Sequence, residues 1–416
     1  MALSATPRSR SRTTRARASI ALLGPALVAA VAYVDPGNVA TNVTAGSRYG
    51  YLLVWVIVVA NLMAGLVQYL SAKTGLATGR SLPALIADHL PRPARLAYWF
   101  QAELVAVATD LAEVVGGAVA LALLFDLPLL LGGLITGTVS MAVLAVQNRR
   151  GQRPFERLIV TMLLVITVGF LAGLVVAPPS PGDVVGGLVP RFDGTDSVLL
   201  ATGMLGATLM PHAVYVHSSL ATDRHGRPPQ GRVLRRFLGV TRIDVLVAMI
   251  VAGAVNLAML LAAASSLRGT PGTDSLEGAH AAIGAQLGGG MAILFGVGLL
   301  ASGLASTSVG CYAGAVIMEG MLRRRIPLLL RRLITLTPAL VVLGVGADPT
   351  QALVLSQVVL SFGVPFAVIP LVLLTARRDV MGGSVNHPVT TVAAGVIAAV
   401  VTTLNLALIV LTVSGG

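Results

Sequence analysis

Charge is scarce in this chain, and cysteine is nearly absent. Of 416 residues only 11% are Asp, Glu, Lys or Arg, against 55% hydrophobic and a mean hydropathy of +0.86, which excludes a soluble globular domain. The single cysteine, Cys311, excludes an internal disulfide and a thiolate metal cluster. There is no His-Glu-x-x-His run and no Ser/His pair at a plausible depth, so an intramembrane enzyme has no support. Extramembrane chain is also scant. The longest loops, near 178–195 and 222–239, are rich in Pro, Gly and Arg and too short for a folded domain. What remains is an all-α polytopic membrane protein.

A helix needs ~20 mainly apolar residues to cross ~30 Å of hydrocarbon, and the chain offers about eleven such segments. They fall near 19–45, 51–72, 97–121, 127–146, 156–177, 196–221, 240–266, 279–318, 329–346, 350–376 and 388–413. The eighth is too long for one span and is expected to continue as a helix beyond the membrane. Residues 1–18, rich in Arg, Ser and Thr and free of acids, are expected to form a disordered cytoplasmic tail, with 19–416 as a single transmembrane domain. The same composition fits a transit peptide, but no Ala-x-Ala-like cleavage site follows.

Acidic residues are outnumbered, 17 against 29 basic, for a net charge of +12. That excess is topological and does not point to nucleic acid. With the N-terminus inside, only Arg48, Arg191 and Arg268 fall on the outer side, and the other 26 of the 29 basic residues lie toward the cytoplasmic side. The expected location is the cell inner (plasma) membrane, N-terminus cytoplasmic and C-terminus outside.

Two apolar spans are interrupted. Asp35-Pro36-Gly37-Asn38 breaks the first and Met210-Pro211-His212 the sixth. A bilayer supplies no water for freed backbone groups, so such breaks persist only where the chain is buried in protein or lines a cavity. An ionisable residue there marks a functional site. One break offers a carboxylate and an amide oxygen, the other a thioether and an imidazole. Their positions match in two halves of opposite orientation, the inverted-repeat pattern of secondary transporters with a site at the midplane.

Asp35 is a hard anionic donor whose burial is costly without a cation, although it could also cap a helix at the break. Asn38 adds a neutral oxygen, or else bonds unwound backbone. Met210 discriminates: a thioether adds nothing for Mg(II) or Ca(II) but favours softer transition metals. On the third span, Asp110 and Glu113 are three residues apart and share a face, with Glu103 seven residues before Asp110. They line a proton path, pair with Arg331 or Arg332 on the ninth span, or do both. His212 and His217 could exchange protons across a pH difference, and His212 could instead be a direct ligand.

The runs Asp-Pro-Gly-Asn-Val-Ala-Thr-Asn (35–42), Ala-Asn-Leu-Met-Ala (60–64), Ala-Thr-Asp-Leu-Ala-Glu (108–113), Met-Pro-His (210–212) and Ser-Gln-Val-Val-Leu-Ser-Phe-Gly-Val-Pro-Phe (356–366) resemble the Nramp divalent-metal transporters, bacterial branch. The resemblance covers nearly the whole chain in order. It implies a leucine-transporter-type fold with a 5+5 inverted repeat and unwound spans 1 and 6, and uptake of Mn(II) or Fe(II) driven by protons. It implies further that Asp35, Asn38 and Met210 hold the metal, with the carbonyls of Ala32 and Ala207 and the side chain of Gln357 completing the shell. A buried Gln357 could also simply join two helices.

Ala213 stands where many members of that family carry Asn, while the retained Met210 argues against the Mg-transporting relatives. The metal is substrate, no cofactor is expected, and no obligate protein partner is evident beyond metal ions, protons and the lipid bilayer. The alternative considered is a leucine-transporter-fold symporter of an amino acid or organic cation.

Overall fold

The computed structural model describes residues 24–150, 152–225, 230–323 and 328–413, so the expected tail and the C-terminus lie outside the described residues. Every regular element among them is helical. The first span consists of α1 (Pro25–Ala30), a 3-10 turn (Val31–Val34) and α2 (Pro36–Tyr49). Then come α3 (Val54–Thr78), the short α4 (Leu82–His89), α5 (Arg92–Phe125), α6 (Leu129–Arg150) and α7 (Gln152–Val176). A turn of helix, α8 (Pro181–Gly186), lies in the loop before the sixth span, which is α9 (Gly194–Thr208) and α10 (Pro211–His225). The remainder is α11 (Gly231–Ser266), α12 (Leu276–Leu287), α13 (Gly289–Leu322), α14 (Leu328–Gly344), α15 (Pro349–Ala376), α16 (Arg378–Met381) and α17 (Pro388–Val413). Eight of these are long and apolar enough to cross a bilayer, the α9–α10 run being one of them. The first span, α6 and α14 complete the expected order.

The eighth segment departs from expectation. In place of one helix over 279–318 there are two, α12 and α13, because Gly288 sits between them at φ 93°, a conformation only glycine adopts readily. Ser275 caps α12 by accepting the Gly278 N–H at 3.0 Å. The loop expected near 222–239 is also partly helical. α11 starts at Gly231 because Leu234, Phe237 and Leu238 find apolar partners in Ala72, Leu76 and Ala221.

Packing repeats between the halves. The second half of the first span, α2, lies on α11 as the second half of the sixth, α10, lies on α3. Likewise α5 packs on α15 as α13 packs on α7, and α5 and α13 pack on each other. This is the reciprocity that an inverted repeat requires. Small residues let the broken spans sit at the centre: a methyl added at Gly116 on α5 would lie 2.0 Å from Pro36 Cβ.

Candidate metal site

Both breaks have one local cause. The residue before a proline is pushed out of the helical region, so Asp35 before Pro36 and Met210 before Pro211 cannot continue the preceding helix. Proline then opens the next helix at no cost, since its missing N–H would be unpaired there anyway. Asp35 is extended, at φ −70° and ψ 167°, and its Oδ1 accepts the Asn38 N–H at 2.9 Å. Its carbonyl accepts Val39 N–H at 3.1 Å, as the Met210 carbonyl accepts Val214 N–H at 3.3 Å. Asp35 and Met210 therefore occupy equivalent positions, each immediately before the second half-helix.

Side chains join the breaks. Asn38 Nδ2 donates to Asp35 Oδ1 at 2.7 Å and to the Ala207 carbonyl at 3.1 Å, linking the first span to the sixth. Gln357 Nε2 on α15 donates to Asp35 Oδ2 at 3.2 Å, while Gln357 Oε1 is buried without a partner among the described residues. That approach needs Gly37, where a methyl would lie 1.6 Å from Gln357 Nε2. Ala32 lies in the buried 3-10 turn that leads into Asp35, and Met210 is buried three residues beyond Ala207. Thus Asp35, Asn38, Ala207 and Gln357 form one bonded cluster, with Ala32 and Met210 on the same two breaks.

Nothing reaches this cluster from solvent, since Asp35, Met210 and Gln357 are each 0% exposed. Cavities of about 310 Å³, lined by Thr44, Arg48, Asp274 and Asp348 among others, and about 440 Å³, lined by Ser219, Asp223 and Tyr312 among others, stop short at opposite ends. Arg48 and Asp274, 2.6 Å apart, line the first end, and the Arg48 hydrogen bond holds the Asp274 carboxyl below the ordinary carboxylate range. Tyr312 donates to Asp223 at the second end, where Asp88 lies between Arg80 and Arg323.

The acids on α5 pair more specifically than their spacing indicated. Arg332 meets Asp110 at 3.0 Å, whereas Arg331 meets Glu103 at 3.1 Å, and among the described residues Arg331 forms no ion pair with Asp110 or Glu113. Glu113 forms no salt bridge among the described residues, and both its oxygens are buried without hydrogen-bond partners. Gly310 on α13 makes the room, its missing methyl lying 2.9 Å from Glu113 Oε2. His212 Nδ1 contacts Thr109 Oγ1 at 3.3 Å beside this stripe, with Nε2 buried and unpartnered.

His217 belongs to a different network. Its Nδ1 meets Gln68 Oε1 at 2.6 Å, Gln68 donates to the Tyr33 hydroxyl, and Asn256 donates to the Tyr33 carbonyl at 2.7 Å. Sequence reasoning did not pick out Tyr33, Gln68 or Asn256. The available signal was a lone amide in an apolar span, which must find a partner inside the protein.

A multi-pass, all-helical bundle with two broken spans meeting at a buried polar cluster is the leucine-transporter-type fold. The chain belongs to the Nramp family: the family described as "Natural resistance-associated macrophage protein-like" matches residues 26–411. It is 62% identical over 402 residues, 97% of this chain and 94% of the other, to "Divalent metal cation transporter MntH" of Mycobacterium tuberculosis strain H37Rv. The protein of the same description from Bacillus subtilis strain 168 is 47% identical over 397 residues, covering 95% and 93%. Among solved structures, a mutant of the Eremococcus coleocola manganese transporter matches with a TM-score of 0.86 at 30% identity, covering 96% and 88%. Mhp1, a nucleobase-cation-symport-1 family transporter, matches with a TM-score of 0.56 at 17% identity, covering 93% and 89%, which is likeness of fold alone. Family membership replaces the amino-acid or organic-cation symporter as the reading of this fold.

Proposed function

We propose that the protein imports divalent transition-metal ions, Mn(II) or Fe(II), across the cell's inner (plasma) membrane by alternating access, coupled to protons. The observation that carries this is the Asn38 bridge between Asp35 and the Ala207 carbonyl, which gathers oxygen donors from both broken spans at one buried point. Rotation of the Asn38 amide would turn Oδ1 where Nδ2 now donates, replacing two hydrogen bonds by contacts to a cation. Met210 supplies the soft donor that disfavours alkaline-earth ions, and the carbonyls of Ala32 and Ala207 with Gln357 complete the shell. The relatives, described as divalent metal cation and manganese transporters, agree with this donor set.

For protons, the support is the buried series on α5. Glu113 nearest the breaks, then Asp110 with Arg332, then Glu103 with Arg331, runs along one helix face away from the cluster. Protons would pass along that series while the metal moves between half-helices, with His212 beside it and His217 able to take part through Tyr33. The asymmetry of basic residues orients the N-terminus to the cytoplasm and the C-terminus outward.

Uptake into proteoliposomes across a panel of divalent ions, with internal pH recorded, tests substrate and coupling together. Mn(II) or Fe(II) should enter with acidification and Ca(II) should not. Equal entry of Ca(II) would refute the donor assignment, and metal entry with unchanged internal pH would refute the coupling.

A further inference from the structure

Where the end of α3 meets α11, two cations lie together with no carboxylate paired to either among the described residues. Lys73 is buried, and among the described residues its ammonium meets only Asn386 Oδ1, at 2.7 Å. Asn386 is itself fixed to the end of α15, donating to Thr375 through its backbone N–H at 3.0 Å and its Nδ2 at 2.8 Å. One helical turn before Lys73, and so on the same face, Tyr69 carries the Arg242 guanidinium over its ring, 5.3 Å from the centroid. Arg242 is thereby brought from α11 to within electrostatic reach of Lys73.

The acids closest in sequence are committed elsewhere. Asp244 accepts the N–H groups of Gly24 and Ala26, and Asp379 pairs with Arg377. Neither Lys73 nor Arg242 enters an ion pair among the described residues.

A buried ammonium has three protons to donate, and a single amide oxygen satisfies one. A second cation beside it raises the cost of that arrangement unless an anion joins the pair. A phosphate-type oxyanion suits both, because guanidinium offers a planar fork and ammonium a point charge to adjacent oxygens. The place also fits. Lys73 lies five residues before the end of α3, and the exposed Arg235 lies on the first turns of α11, whose apolar side rests on Ala72 and Leu76. By the distribution of basic residues this end meets the cytoplasmic leaflet, where anionic headgroups lie.

We propose that Lys73 and Arg242 form a binding site for a phosphate-bearing anion, supplied by an anionic phospholipid headgroup of the inner leaflet. The site joins α3, α11 and the α15 end, so an occupied headgroup ties corresponding helices of the two repeats to each other.

The test is native mass spectrometry of the full chain in detergent, titrated with phosphatidylglycerol, with phosphatidylcholine of equal acyl chains, and separately with inorganic phosphate. At roughly fivefold per cation, the pair should favour phosphatidylglycerol by about thirtyfold, and Lys73→Gln or Arg242→Gln should reduce this to about fivefold. Lys73→Arg should retain the preference, and Arg235→Gln should leave it unchanged. Thermal melts of each variant separate loss of the site from loss of the fold. Inorganic phosphate that binds with the same variant dependence and displaces the lipid would identify a free anion as the source. Equal binding of the two lipids, or equal losses in Lys73→Gln and Arg235→Gln, would overturn the site.

Discussion

Replacing Asn38 with Ala removes two hydrogen bonds and no helix cap. The bond to Asp35 Oδ1 at 2.7 Å is to a carboxylate and stabilises by about 1.5–3 kcal/mol, while the bond to the Ala207 carbonyl at 3.1 Å contributes about 0.5–1.5 kcal/mol. The backbone N–H of residue 38 still bonds Asp35 at 2.9 Å, so α2 keeps its start. The metal-free protein should lose about 2–4 kcal/mol, read as a melting temperature lower by a few degrees. Loss of one oxygen donor should also weaken Mn(II) binding about tenfold or more in calorimetry. Asn38→Asp separates the two effects: a second carboxylate beside Asp35 repels it in the metal-free protein, yet should tighten binding of every divalent ion, Ca(II) included. An Asn38→Ala protein that melts and binds Mn(II) like the parent would refute the reasoning.

Asp35→Ala should abolish Mn(II) binding while leaving a folded protein, because Pro36 and Gly37 maintain the break; unchanged calorimetric affinity would remove Asp35 from the site. Met210→Ala should lower Cd(II) affinity far more than Mn(II) and favour Ca(II) relative to both, whereas parallel losses would mean that the thioether only packs. At Gly314 on α13 a methyl would lie 1.7 Å from Arg331 Nη2, so Gly314→Ala should displace Arg331 from Glu103 and slow proton-coupled uptake with Mn(II) affinity unchanged. Asp274 titrates below its ordinary 3.8, so what its bond to Arg48 contributes is present above that pH and is lost only as pH falls through the depressed value. Labelling of Thr44→Cys, divided by that of a free thiol at the same pH to remove the thiolate fraction, should therefore stay constant between pH 7 and 5 and rise in Arg48→Gln; a rise of this ratio between pH 7 and 5 in the single Thr44→Cys protein would contradict this.

The breaks were legible because proline acts locally: Asp35-Pro36 and Met210-Pro211 stop a helix whatever surrounds them. The split at Gly288 was hidden inside an apolar run, where glycine costs too little to signal a boundary by itself. Which Arg meets which acid is a matter of helix rotation, so Arg331 and Arg332 could be assigned to the α5 face but not to Glu103 and Asp110 individually. Asn38 is a sharper case. Its residue type announced an oxygen donor, but the bond from its nitrogen to Ala207 depends on how closely two half-helices approach, and no pattern within either break encodes that distance.

Asp35 and Met210 stand at equivalent points of opposite repeats, and this symmetry has a consequence for turnover. A site built on one rigid helix would grip its ion equally well throughout a cycle and would need a separate device to let go. Here, on the proposed reading, the carboxylate belongs to the first broken span and the sulfur to the sixth, and each of these spans packs on a helix of the opposite repeat. A tilt of either half-helix that opened a path to one side would then also draw the hard donor away from the soft one. Affinity and access would change in the same stroke, and the ion would leave because the movement that exposes it has already dismantled its shell.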